Sequence, residues 1–199
     1  MEDLLKKIVA DNTLHAKWLN SLSFLENTGA RKISASENTI SVNLMILKHA
    51  AEEARHAYYL KKQIEKLGFD ACPDYSEDYL LAPGHSYTYL NLLDVYVSRY
   101  LKKTLDLNGS ALRFASYLLV TYAIELRADM LYPVYQCELT LQGSKVTVKS
   151  IILEEEGHLQ EMIVQLRQFS PDWEKHAGLV CAVEEKLFKS WIEGIKKSL

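Results

Sequence analysis

A carboxylate and an imidazole written into an apolar helical stripe constrain this chain more than any other feature. Around Glu53-Ala-Arg-His56, the residues Val42, Ile46, His49, Glu53, His56, Leu60, Ile64 and Leu67 recur at steps of three and four. At about 100° per residue such positions share one side of a helix. Glu53 and His56 therefore fall where core residues belong. A buried carboxylate costs several kcal/mol unless something positive compensates it, so the rest of the chain has to supply that compensation.

What it supplies is a second copy. Val148, Ile151, Glu155, His158, Met162, Leu166 and Phe169 form the same kind of stripe, again with Glu and His three apart at its centre. Two further helical runs each carry one stripe carboxylate. Ile8, Asn12, His15, Leu19, Leu22 and Glu26 lie in heptad register, as do Phe114, Leu118, Thr121, Glu125, Ala128 and Tyr132. Chance would place Glu three residues before one of the 6 histidines less than once in this composition, and it occurs twice. Spacing alone is modest support. The position of both pairs on apolar stripes is what gives it weight.

Taken in order, the chain reads as helices almost throughout. A first helix is expected over 3–27, closed by Asn27-Thr28-Gly29, where Gly suits a left-handed cap. Ser34-x-x-Glu37 has the form of a capping box opening a second helix over 37–67, stopped at Gly68. Residues 70–86, with Pro73, Pro83 and Gly84, form one long irregular connection, and segments of that length are often functional or mobile, here as a lid. A crossover helix over 87–106 has no stripe carboxylate. A long helix then runs from Asn108-Gly109 to about 140, bent at Pro133. Gln142-Gly143-Ser144 turns into the helix of Glu155 and His158, and Ser170-Pro171-Asp172 opens a last helix over 171–198. No strand, linker or low-complexity tract is apparent, so one domain over 1–199 is expected, with a core over about 3–169.

Composition limits the partners. A chain of 199 residues, 48% hydrophobic, can bury one sizeable core. A net charge of -3 gives no long-range pull toward nucleic acid or anionic membrane. Cys72, Cys137 and Cys181 are an odd number without C-x-x-C spacing, which fits free thiols in a reducing compartment. The Met-Glu-Asp-Leu-Leu-Lys-Lys start lacks an apolar signal core, and no apolar run reaches membrane-spanning length. A cytoplasmic location is the expectation.

Four carboxylates converging with two imidazoles carry four negative charges, which two divalent cations balance. Mixed oxygen and nitrogen donors suit iron or manganese, whereas structural zinc more often takes cysteine or additional histidine. The order Glu26, then Glu53-x-x-His56, then Glu125, then Glu155-x-x-His158 resembles the ferritin-like superfamily of di-iron carboxylate four-helix bundles, in which two helices give one Glu each and two give Glu-x-x-His. The resemblance covers residues 3–169. It implies an all-α bundle with a long crossover containing an extra helix, and an additional C-terminal helix. It also implies two Fe ions, with Mn as the alternative, held by Glu26, Glu53, His56, Glu125, Glu155 and His158, with Glu53 and Glu155 bridging.

The resemblance names the cofactor better than the reaction. A histidine on each metal is similar to the catalytic oxidase and oxygenase branches, so an oxidoreductase that activates O2 to oxidise or hydroxylate a small substrate, fed by an external reductase, is favoured over an iron store or ferroxidase. A non-catalytic metal-binding protein is a further alternative. So is a tRNA-modifying monooxygenase of the same superfamily, which this chain resembles in size and ligand order, although only paired lysines are present for a nucleic acid.

Several neighbours of the ligands are weighed beside them. Tyr122 and His49 are the candidates for orienting a ligand, with core packing the alternative for each. Asp129 is the reserve ligand should the register be off by a turn. His15 lies too far along its helix to ligate, and Trp18 is read as a packed aromatic before an electron path. Arg55 and Arg127 are expected to pair with Glu52 or with carboxylates on a neighbouring helix, while Glu52, Glu154 and Glu156 point away from the centre and are read either as surface groups or as groups supporting the ligands from behind. The last helix has an apolar stripe, Leu179, Val183, Leu187, Trp191 and Ile195, expected to pack on its own bundle before it would pair in a homodimer.

Overall fold

Short polar residues set where the helices begin. In a computed structural model, which describes residues 1–38, 40–68 and 72–199, seven α-helices and two short 3₁₀ turns account for the regular structure of the described residues: α1 Glu2–Ala10, α2 Asn12–Ser36, α3 Leu44–Ile64, α4 Pro83–Leu105, α5 Gly109–Leu141, α6 Lys149–Phe169 and α7 Trp173–Lys197. Among these residues there is no strand. The chain is thus all-helical, and no helix is long and apolar enough to cross a membrane.

The expected first helix over 3–27 is corrected at both ends. Asp11 leaves the helical region, and its side chain accepts from the Thr13 and Leu14 backbone N–H groups at 2.8 and 3.0 Å. This N-cap ends α1 and starts α2. At the other end α2 runs through Gly29 to Ser36. The Ser34-x-x-Glu37 pattern opens nothing: it closes α2, and α3 begins after Asn43, whose side chain accepts from Met45 and Ile46 N–H groups. Gly68 does stop that run, in the left-handed region at φ 88°. The crossover helix starts earlier than expected, at Pro83, with proline at the first position, and the last helix starts slightly later, at Trp173. Pro133 is held inside an uninterrupted α5.

α2 packs along α3, and α5 along α6, while α4 and α7 pack on each other and on α5. Leu19, Leu22, Leu60, Leu118, Ile151, Met162 and Leu166 are buried, and the faces of α2, α3, α5 and α6 bearing the stripe carboxylates meet in one interior. The expected stripe of α7 turns inward only in part: Trp191 and Ile195 are buried, Val183 and Leu187 are half-buried and Leu179 is exposed, while the neighbouring Val180 and Phe188 complete the buried face. Gly194 lets α7 approach closely, since a Cβ there would lie 2.9 Å from His85 Nδ1.

The connection between α3 and α4, expected as a lid, packs against the bundle. Asp70 and Ala71 lie outside the described residues, but residues 72–82 are tied down by several hydrogen bonds. Asn20 Nδ2 donates to the carbonyls of Asp74 and Tyr79, Lys61 to that of Cys72, and the Leu81 N–H to Ser21 Oγ. Leu80, Leu81 and Ala82 are buried.

Candidate metal centre

The six stripe residues are brought together. Glu26 comes from α2, Glu53 and His56 from α3, Glu125 from α5, and Glu155 and His158 from α6. They form two overlapping groups, Glu26–Glu53–His56–Glu155 and Glu53–Glu125–Glu155–His158, each with one donor atom per residue within 4.8 Å of the others. Glu53 and Glu155 belong to both. Each group therefore takes three residues from one helix pair and borrows the fourth from the other.

Glu155 shows the overlap most directly. Its Oε1 lies 3.0 Å from His56 Nδ1, and its Oε2 lies 3.5 Å from His158 Nδ1. His158 Nδ1 is also 3.5 Å from Glu125 Oε1, and His56 Nδ1 is 4.0 Å from Glu26 Oε2. None of these contacts has hydrogen-bond geometry: His56 Nδ1, His158 Nδ1 and Glu155 Oε2 are buried without a hydrogen-bond partner. Three unpartnered donor atoms facing one point is what a site for cations requires, because each would otherwise bear an uncompensated desolvation cost. The residues present fit two such ions.

Each imidazole is aimed by a carboxylate from the opposite helix. His56 Nε2 on α3 lies 2.8 Å from Glu154 Oε2 on α6, and His158 Nε2 on α6 lies 2.7 Å from Glu52 Oε2 on α3. Donation from Nε2 leaves Nδ1 as the inward-facing lone pair. Glu52 and Glu154 thus do not simply face away, as sequence reading had them. The signal was present, since both copies read Glu-Glu-x-x-His. Arg55 Nη2 donates to Glu154 at 2.6 Å, as expected of a residue pairing across helices. The side chain of Glu156 lies outside the description.

Burial and close neighbouring charges shift the acidity of Glu53, Glu125, Glu155, His56 and His158. Burial, followed by repulsion from Glu26, Glu125 and Glu155, pushes the Glu53 carboxyl well up, and burial with Glu155 does the same to Glu125. Burial disfavours the charged form of His56, but the carboxylates of Glu155, Glu26 and Glu154 outweigh it and raise its pKa to about 9. His158 is likewise raised against burial by Glu155 and Glu52. For Glu155, burial is outweighed by the Glu125 carboxyl and the two imidazoles around it, which lower its pKa and favour the carboxylate.

No family model, curated protein or solved structure matches the chain. The reading of this centre therefore rests on its own geometry.

The neighbours expected from the sequence are partly rearranged. Tyr122 points away, edge-on to Trp173 with ring centres 5.8 Å apart. The tyrosines at the site are Tyr132, whose hydroxyl donates to Glu26 Oε1, and Tyr117, which lies 2.9 Å from His49 Nδ1. Tyr132 sits on the α5 stripe seven residues past Glu125, a position readable in the sequence. His49 is engaged at both nitrogens, by Tyr117 and by Glu161 Oε2 at 2.9 Å, so it orients no ligand carboxylate. It lies instead beside His158, ring centres 4.7 Å apart and tilted by 39°. Asp129 is exposed and does not reach the centre. His15 meets the Tyr135 hydroxyl at 2.5 Å, and Trp18 is packed between Tyr135 and Trp191. Arg127 forks onto Glu184 of α7 at 2.7 and 2.9 Å.

A cavity of about 360 Å³ ends on the centre. Glu26, Glu53 and Glu125 line it, with Leu25, Ile33, Leu90, Val120, Ile124 and Leu131 among its apolar walls. Gly29 lines it too, and a Cβ there would already sit 3.4 Å from Glu53 Oε2. Glycine at this helix position keeps α2 and α3 close while leaving Glu53 open to the cavity. None of residues 72–82 borders it.

Proposed function

We propose that the protein is a ferritin-like di-metal carboxylate oxidoreductase, with iron the favoured metal, that uses O2 to oxidise an organic substrate. The observation that supports this most is the doubly shared carboxylate pair: Glu53 and Glu155 belong to both groups of potential ligands, and the two oxygens of Glu155 face different histidines. In this reading Glu26 and His56 complete one metal's set, and Glu125 and His158 the other's. Mixed carboxylate and imidazole donors suit iron or manganese. Bound iron would supply the binding and reduction of O2 that side chains cannot provide.

The residues of the chain have separate tasks. Glu52 and Glu154 fix the tautomer and orientation of the two imidazoles. The Tyr132 hydroxyl holds Glu26 at one oxygen and leaves the other facing His56. The apolar walls of the cavity exclude water beside Glu26, Glu53 and Glu125 and give an organic substrate a place to lie. That cavity favours an oxidoreductase over a store or a purely structural site, neither of which needs room for an organic molecule at the metals.

Metal analysis after anaerobic loading with ferrous iron, followed by rapid mixing with O2 and optical detection, tests the proposal. About two irons per chain that oxidise quickly support it. Two bound metals inert to O2 would move the assignment to a non-catalytic metal-binding role, and no bound metal would overturn it.

A further inference from the structure

The walls of the cavity carry information about what enters it. Two helices independently give the distance from its mouth to the carboxylates, beyond which the lining continues to Leu22 and Tyr132. On α2, Ser36, at the mouth end of the lining, is ten residues past Glu26, or about 15 Å at 1.5 Å per residue. On α5, running the other way, Arg113 precedes Glu125 by twelve residues, or about 18 Å. The inner lining residues Tyr117, Leu90, Leu131 and Tyr132 are buried, whereas Arg113 and Ala35 are exposed and Lys32, Ser36, Asp94 and Ser98 are half-buried. The mouth therefore lies between the end of α2, the middle of α4 and the start of α5. A volume of about 360 Å³, at about 30 Å³ for a water-sized group, holds roughly a dozen heavy atoms. Spread over that length, these form a single file and not a disc.

Charge is arranged unevenly along this channel. Three carboxylates, Glu26, Glu53 and Glu125, face it well inside, the stretch from them to the mouth is largely apolar, and at the mouth Lys32 Nζ is neutralised by Asp94 at 2.9 Å. Arg113 is exposed at the mouth and has no ion-pair partner among the described residues. A polar head drawn into the middle would lose its water without replacement, at a cost of several kcal/mol. Left at the mouth, it keeps its water and meets a guanidinium, which prefers carboxylate and phosphate oxygens.

We infer that the substrate is a linear amphiphile of about a dozen chain atoms with an anionic head, lying with its head at Arg113 and its apolar tail toward Glu26, Glu53 and Glu125. Oxidation then falls on the tail, remote from the head. The assignment of the reacting end rests on the di-metal reading above; the chain and head classes rest on the cavity.

Titration calorimetry on the full chain, metal-free and loaded with manganese, tests it with dodecanoate, octanoate, dodecyl phosphate and dodecylammonium below their micellar concentrations. One dodecyl anion should bind per chain, more tightly than octanoate, and the tighter of the carboxylate and phosphate heads identifies the source of the anion. Dodecylammonium should bind at least ten-fold more weakly. Arg113→Gln, at an exposed position, should weaken the dodecyl anions by about ten-fold through loss of a charge-assisted contact, and Val120→Trp should abolish binding by filling the channel. Absence of binding by every probe overturns the inference, as do equal affinity for the ammonium and an unchanged affinity in Arg113→Gln. Should Val120→Trp fail to fold by circular dichroism, the Arg113→Gln comparison decides. Metal content is measured on the same samples: two metals with no amphiphile bound sinks this inference alone, and a bound amphiphile without metal sinks the di-metal reading alone.

Discussion

The two sides of the centre are built from opposite materials. On the α3–α6 side, polar groups are stacked outward from the ligands: His56 and His158, then Glu154 and Glu52, then Arg55, with Lys48 and Glu161 beyond His49. On the α2–α5 side, the same carboxylates border an apolar cavity closed by residues of α4 and α7 such as Leu90, Phe188 and Trp191. The contrast teaches a division of labour. One side grips and compensates charge, and the other keeps water away and leaves room. A site meant only for holding ions would have no reason to be open on its driest side.

Several changes would break or sharpen this contrast. The largest effect belongs to the shared carboxylates: Glu53→Ala or Glu155→Ala removes a residue common to both groups and should leave no bound metal, whereas Glu26→Ala or Glu125→Ala should leave about one per chain. Metal analysis by mass spectrometry distinguishes these outcomes, and equal losses in all four variants would refute the shared geometry. On the dry side, Arg127→Ala strands the buried Glu184 carboxylate against the Tyr89 hydroxyl. Breaking such a pair costs about 3–5 kcal/mol, readable in urea unfolding, with metal content unchanged. On the gripping side, Glu52→Ala and Glu154→Ala should each lower metal affinity by about 10–100-fold, measured against a competing chelator, while leaving amphiphile binding intact.

Acidity sharpens the comparison further. The folded, metal-free protein raises His56 from its ordinary 6.5 to about 9, so the protonated imidazole stabilises the fold fully below pH 6.5, and that contribution is lost as pH rises through about 9. Glu53 and Glu125, also raised, act in the same sense. Thermal stability of the metal-free protein should therefore fall between pH 6.5 and 9. Metal affinity should rise over the same range, because each ion displaces protons. Parallel changes in both would argue against His56 as a ligand. The smallest effects are expected from Tyr122→Phe and Asp129→Asn, which should alter neither metal content nor affinity.

The residues of the centre were legible because burial of charge is improbable enough to stand out. A Glu-x-x-His on an apolar stripe needs an explanation, and two copies supply one. Helix ends were less legible. Asp11 and Asn43 act through single side-chain oxygens on local N–H groups, and the competing Ser34-x-x-Glu37 and Gly29 signals are equally short, so only packing decides between them. Gly29 lies mid-helix, within α2 and beside Glu53. Whether Glu52 and Glu154 were surface groups or supports of the ligands stayed open because adjacent residues on one helix diverge by about 100°, a divergence that matters only until a second helix arrives. The cavity could not be read at all, since its walls include α4 and α7, which contribute no ligands and carry no motif.

The three-plus-one arrangement of the ligand groups has a consequence for how the molecule comes into being. The pair α2–α3 and the pair α5–α6 can each form from contacts close in sequence, yet neither completes a group until Glu53 and Glu155 are exchanged between them. Nearly a hundred residues separate His56 from Glu155. During synthesis, a high-affinity place for metal would thus arise only after the ribosome has passed His158 and the second pair has docked on the first. Any ion held there would lock together two halves that assemble separately, so that loading would mark a finished chain and unfolding of either half would release both ions at once.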